Sequence, residues 1–325
     1  MNRIPRLATW IAFALAAALY LAVSHKKLIP IIPTVYASAA GVQDQAPPDQ
    51  GPDPAAVNQA PSGPSYTTQA PPPPDQSGAP GSDDSQYAEQ PTETAPQPPP
   101  ALPDYQQPPA PADGYIWTPG YWAWSPSGYY WVPGAWVEPP YMGALWTPGY
   151  WGFYGGRYQF YPGHWGMHIG FYGGINYGFG YIGLGYEGGY WHSGHFFYNR
   201  VYNHVDERVV HNVYSYRVNE REVVNRGYNT HVDNRFNNTR PSFHGGQGGV
   251  QVRPRPSEAA AWREPTAPRM SSQVQHAQSY GSVRGQYASQ NHGRPANPTV
   301  NKPLAADRNV RPQPRSGGGK PGQHK

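Results

Sequence analysis

WTPGYW (117–122), WVPGAW (131–136), WTPGYW (146–151) and FYPGHW (160–165) share one frame, with starts 14, 15 and 14 residues apart. A degenerate fifth copy, WHSGHF (191–196), begins 31 residues after the fourth. Pro presets φ and Gly accepts positive φ, so each Pro-Gly step reads as the centre of a type II turn. The turn-forming residues are Pro119 and Gly120, Pro133 and Gly134, Pro148 and Gly149, and Pro162 and Gly163. If that turn joins two antiparallel strands, Trp117 faces Trp122 within one repeat, an aromatic pair worth roughly 0.2–1 kcal/mol. A type II turn matches hairpin twist poorly, so a broader corner is the other geometry.

Further turn signals fall between the copies. Pro119, Pro126, Pro133, Pro140, Pro148, Gly155 and Pro162 are spaced 7, 7, 7, 8, 7 and 7, which predicts strands of four or five residues in an antiparallel meander. Alternation puts Tyr115, Trp117, Trp122 and Trp124 on one face, with Ile116 and Ala123 on the other. From Ile169 to Gly189 the pattern changes to Gly alternating with aromatic or aliphatic residues. That stretch is either a strand packed closely against the repeats or, the reading preferred here, a glycine loop.

Composition limits the core to this region. The 325 residues include 38 Gly and 41 Pro, and Leu, Ile, Val and Phe are scarce beyond residue 40. Between Gly114 and Tyr198 stand 9 Trp, 15 Tyr and 6 Phe, so aromatic rings must supply what aliphatic side chains do not. The expected fold class is a mostly disordered chain with one small all-β module and an N-terminal apolar helix.

The flanking segments differ sharply in composition. In residues 1–40, Arg3 and Arg6 precede an apolar run, Leu7 to Val23, and a small-residue site follows at Ala37-Ser38-Ala39, which reads as an export signal or an uncleaved membrane anchor. Residues 41–113 hold 20 Pro and 10 acidic residues with no Lys or Arg, and are expected to be a disordered spacer. The module spans 114–198. Residues 199–243 repeat VDER (205–208), VNER (218–221) and VDNR (232–235), expected as extended chain carrying local ion pairs. The tail, 244–325, is basic and rich in Gly, Pro, Gln and Ser. It is expected to be disordered apart from a helical candidate at 257–264.

The W-x-P-G-x-W copies resemble the WXXGXW (YXWGXW) repeat family of exported bacterial proteins, and GFYGGINYGFGYIGLGYEGGYWHSGHFFYN (170–199) is similar to its long members. The resemblance covers 114 to about 243. It implies a cell-envelope location and a repeat module, and it supplies no established reaction. Some members resemble lipoproteins; with no Cys in this chain, that anchor is excluded.

Trp and Tyr on a rigid sheet offer flat apolar faces with polar tips, suited to sugar rings, membrane interfaces and protein partners. The candidate aromatic face comprises Trp117, Trp122, Trp124, Trp131, Trp136, Trp146, Trp151 and Trp165. Of 12 His, His164, His168, His192 and His195 are the weak candidates for a metal site, although their spacing matches no named zinc motif. Glu138 and Glu187 are the carboxylates of the module, and neither lies in a catalytic motif. The chain therefore reads as a non-enzymatic, exported structural or adhesive repeat protein without a cofactor. The alternatives are a glycan- or cell-wall-polymer-binding module and His-based metal binding. An envelope protein, a wall polymer, the membrane through an uncleaved N-terminus and self-association are the possible partners; nucleic acid is not expected.

Overall fold

The computed structural model describes residues 51–62, 90–218, 241–307 and 310–314. The apolar helix and export segment expected in residues 1–40 lie outside the described residues, as do 63–89 of the spacer and 219–240 of the Val/Asn/Arg repeat. The described residues fall within one compact unit, Gln50–Lys325.

A spacer strand, β1 (Glu93–Ala95), is followed by the repeat strands. These are β2 (Ile116–Thr118), β3 (Tyr121–Ser125), β4 (Gly128–Val132), β5 (Ala135–Val137), β6 (Leu145–Thr147), β7 (Tyr150–Tyr154), β8 (Arg157–Tyr161) and β9 (His164–Gly166). β3 pairs with β4 and β2 with β5, in a single register that sets Trp122 opposite Trp131 and Trp117 opposite Trp136. The next two copies do the same: Trp151 faces Phe160 in β7–β8, and Trp146 faces Trp165 in β6–β9.

This corrects the meander of one-repeat hairpins. Trp117 faces its counterpart in the neighbouring repeat, not Trp122, because two repeats fold back on each other as one long ribbon. The chain reverses at the signals between copies, at Pro126-Ser127 and at Gly155-Gly156, where both glycines have positive φ (57° and 77°). A two-residue loop with both φ positive has the twist that a hairpin needs, as at Gly155-Gly156, whereas at Pro126-Ser127 the positive φ falls on the following Gly128 (106°). The Pro-Gly steps instead interrupt the ribbon midway: Pro119 stands opposite Gly134 in that register, and Pro148 opposite Gly163.

The core is aromatic, as composition requires. Cross-strand rings meet at an angle: Trp117–Trp136 at 5.4 Å and 65°, Trp122–Trp131 at 5.2 Å and 71°, and Trp146–Trp165 at 5.1 Å and 56°. Such arrangements bring edge hydrogens onto π faces and stabilise by about 0.5–1.5 kcal/mol per pair beyond burial. The two ribbons contact each other through Tyr121 stacked on Phe160 at 5.2 Å and through the Trp151 indole donating to the Trp122 carbonyl at 2.7 Å.

The Gly-rich stretch is not a loose loop. It forms a small hairpin, β10 (Asn176–Gly178) with β11 (Tyr181–Ile182), whose rings are buried. The Tyr181 hydroxyl lies 3.2 Å from the Trp117 carbonyl and 2.9 Å from that of Trp146, corresponding positions in the two ribbons. Glycine is needed because the chain threads between packed elements: a Cβ on Gly183 would stand 2.7 Å from the Gly174 carbonyl oxygen. A further hairpin, β12 (Gly189–His192) with β13 (His195–Asn199), repeats the bridging. Tyr198 donates to the Tyr115 carbonyl (2.9 Å) and Trp191 to that of Ala144 (3.0 Å), again corresponding positions. β13 also pairs in parallel with β14 (Val213–Tyr214), and β15 (Phe243–His244) pairs in parallel with β7.

The spacer and tail are structural where described, contrary to the disorder expected from their composition. Trp indoles buried in a core require acceptors, and Pro-rich chain carries carbonyls that no ladder uses. Trp122 donates to Ala101 O (3.2 Å), Trp136 to Pro108 O (2.8 Å), Trp131 to Pro298 O (3.0 Å) and the Tyr129 hydroxyl to Gln97 O (2.8 Å). The tail adds α1 (Pro256–Ala261), overlapping the helical candidate at 257–264, then β16 (Ala267–Pro268) against β9, α2 (Ser271–Tyr280) and α3 (Ala288–Asn291). α2 covers the outer face of the first ribbon, where Ala277 packs on Ala123 and Val132. Beyond it the chain runs parallel to β5, with Leu304 N–H donating to Trp136 O at 2.9 Å. Aliphatic poverty therefore does not leave these segments unfolded, because they dock on the Trp core through hydrogen bonds.

Candidate functional site

Seven of the eight candidate Trp are inside the molecule. Trp117, Trp122, Trp131, Trp136, Trp146, Trp151 and Trp165 are buried, so the repeat face expected to bind ligand is instead the core. Trp124 is half-buried: its ring sits 4.8 Å from Tyr129, and its backbone N–H donates to Glu93 Oε2 at 2.7 Å. Burial raises the Glu93 pKa above the ordinary carboxylate range; the Trp124 N–H and the Arg269 charge oppose that shift.

A partly exposed aromatic face lies elsewhere, on β12, β13 and β14. Tyr190 and Phe197, opposite each other in register, stack at 5.4 Å and 15°. Tyr214 meets Tyr190 edge-on at 5.2 Å, and the His192 ring stands 6.1 Å from Phe197. Trp191, Phe196 and Tyr198 point the other way. Tyr190, Phe197 and Tyr214 are half-buried, and His192 and His195 are exposed across the turn at Ser193-Gly194. That turn has positive φ at both residues (49° and 82°), so the degenerate fifth copy forms the within-motif hairpin expected of the others.

Side-chain amides hold this sheet in place. Asn58 donates to the Tyr186 and Gly189 carbonyls at 2.9 and 2.8 Å, Asn199 to those of Glu187 and Tyr216 at 3.0 and 2.7 Å, and Asn203 to Gly188. The result is a half-buried aromatic platform, hydrogen-bonded at its base and edged by two imidazoles. Sequence reading placed His192 and His195 but passed over Tyr190, Phe197 and Tyr214. Their signal was the alternation in GYWH and HFFYN, which puts Tyr190, His192, His195 and Phe197 on one face.

The four His candidates do not converge. His164 is buried in β9, His168 is hydrogen-bonded through Nδ1 to both Glu264 oxygens at 2.8 Å, and His192 and His195 are at the hairpin tip. Among the described residues, no group of three or more His, Cys, Asp or Glu is placed to hold a metal ion. Glu138, at the end of β5, accepts from Ala306 N–H at 3.3 Å, and Glu187 is buried between β11 and β12. An open groove of about 750 Å³ separates spacer from tail, lined by Leu102, Asp104, His292 and Arg294 among others. No helix among the described residues is long and apolar enough to cross a membrane.

Residues 113–137 match the family model of the WXXGXW repeat in two copies. The two matched copies are the pair that builds the first ribbon, so the family motif and the structural unit coincide. No curated protein and no solved structure matches the chain.

Proposed function

We propose that this WXXGXW repeat chain is an exported cell-envelope protein with a structural or adhesive role and no catalytic activity. Burial of seven motif Trp carries the reading: the repeats supply a scaffold, leaving other surfaces to meet partners. The basic, apolar and small-residue order of residues 1–40 supports export, in a cleaved or anchored form. Fractionation of cells expressing the full chain tests the location, with recovery in the envelope expected and recovery in the cytoplasm overturning it.

A second reading, binding of a glycan or wall polymer, is favoured by the Tyr190–Phe197 stack with its imidazole edge. Sugar rings present apolar C–H faces that lose water together with an aromatic ring while hydroxyls remain hydrogen-bonded. Acrylamide quenching of Trp fluorescence, with and without cell-wall polymers, tests the scaffold reading. Protected Trp indifferent to polymer is expected of the scaffold. Exposed Trp that a polymer protects would overturn it.

A further inference from the structure

Met is normally among the residues most often buried. This chain has four Met and no Cys, yet Met142 is 66% exposed and Met167 is 49% exposed, and they lie at the same open end of the second ribbon. Leu145 pairs with Gly166 there, so the turn preceding β6 and the chain leaving β9 are neighbours. Met167 lies over Gly143: a Cβ on that glycine would stand 2.8 Å from Met167 Cε and 3.4 Å from its sulfur. Met142 directly precedes Gly143 in the chain, so the two Met flank the same turn. Its unbranched side chain has three rotatable bonds with which to bring a second sulfur alongside.

The residue after Met167 is His168. Both Glu264 oxygens lie 2.8 Å from its Nδ1, and its Nε2 makes no hydrogen bond to the described residues. A carboxylate on the far ring nitrogen is the arrangement that orients an imidazole as a metal ligand. Two thioethers and one imidazole form a soft donor set, which selects closed-shell monovalent copper over hard or borderline divalent ions.

We propose that Met142, Met167 and His168 bind one soft monovalent cation of the copper(I) or silver(I) class, with Glu264 as the positioning residue. With no thiol in the chain, no stronger soft ligand competes.

The test is titration of the full chain with silver(I), followed by NMR of methyl-labelled Met. Saturation at one equivalent is expected, with the Met142 and Met167 methyl signals moving together. The Met270 signal should stay still, because that buried sulfur accepts from the Asp307 N–H at 3.2 Å. Met142→Leu or Met167→Leu, volume-conserving changes at exposed positions, should each weaken binding at least about tenfold while leaving Trp fluorescence unchanged. Glu264→Gln should weaken it by about tenfold. Methyl signals that stay still at one equivalent would overturn the proposal, as would independent responses of the two Met or a Met142→Leu variant that binds like the parent.

Discussion

The indole of Trp117 lies on Gly134: its Cζ2 stands 2.6 Å from where a Cβ on that residue would be. Trp131 covers Gly120, Trp146 covers Gly163, and Phe160 covers Gly149 in the same way. The first aromatic of each copy thus rests on the glycine of the copy it pairs with. None of these four glycines has positive φ, so the motif needs glycine for its missing side chain and not for its turn geometry. W-x-x-G-x-W is therefore half of a reciprocal contact, and the ribbon of two copies is its smallest complete unit.

Gly134→Ala should destabilise the fold by about 1–3 kcal/mol through overpacking against Trp117, although the backbone there suits alanine. Gly51→Ala, where an added methyl meets nothing within 4 Å, should change stability by only a few tenths. Urea unfolding of the two variants measures the contrast. Equal, small effects would mean that the indole does not occupy the glycine.

The proline-rich segment owes its position to carbonyls that accept from Trp. Trp136→Phe removes the donor to Pro108 O and should cost about 1–3 kcal/mol beyond the loss of ring volume. Limited proteolysis should then cut sooner within 97–110. Trp117→Phe should cost less, because the Trp117 Nε1 is buried without a partner among the described residues, so its removal breaks no bond.

Removing residues 256–325 uncovers Ala123 and Val132 and frees the outer edge of β5. An unpaired edge beside an apolar face is a template for association. The truncated chain should bind a hydrophobic dye and elute as oligomers in size exclusion with light scattering, whereas a monomer with unchanged dye binding would show the tail to be dispensable.

Alkaline pH should unfold the protein through its tyrosines. Burial raises the pKa values of Tyr129, Tyr172, Tyr177, Tyr181 and Tyr198, and pushes Tyr141 and Tyr161 up to about 12. Because these folded-state pKa values exceed the ordinary phenol value of 10.0, the stability they carry is fully present below pH 10. It is lost as pH rises above that. Phenolate absorbance should therefore appear together with the loss of native Trp fluorescence, in one cooperative step. A gradual titration near 10 with intact fluorescence would place the tyrosines at the surface.

The strands, the aromatic core and the turns at Pro126 and Gly155 were legible because they follow from local rules: proline and glycine placement, and a scarcity of aliphatic side chains. The pairing was not, although the spacing held it. Starts 14, 15 and 14 apart fit two ribbons, whereas the strong turn propensity of Pro-Gly argued for a reversal inside every copy; long-range packing of Trp on Gly overrides that propensity. The order of the tail was hidden for a related reason. Gln273, whose Oε1 accepts from Trp165 at 2.9 Å, and Pro298 look like disordered-chain residues until the indoles that need them are in place. Seven of the eight Trp gave a false lead to an exposed face because exposure is a property of the whole fold. Tyr190 and Phe197, which flank the degenerate fifth copy, carried the alternation that leaves them half-buried on one face.

The central claim is that repeats pair reciprocally, with each leading aromatic on its partner's glycine. Proton NMR of the full chain tests this most directly through the α-protons of Gly120, Gly134, Gly149 and Gly163. The account predicts strong upfield ring-current shifts for all four and nuclear Overhauser contacts from the Trp117 indole to Gly134 and Trp136. Glycine shifts at ordinary values, with Trp117 contacting Trp122 across its own Pro-Gly step, would contradict it.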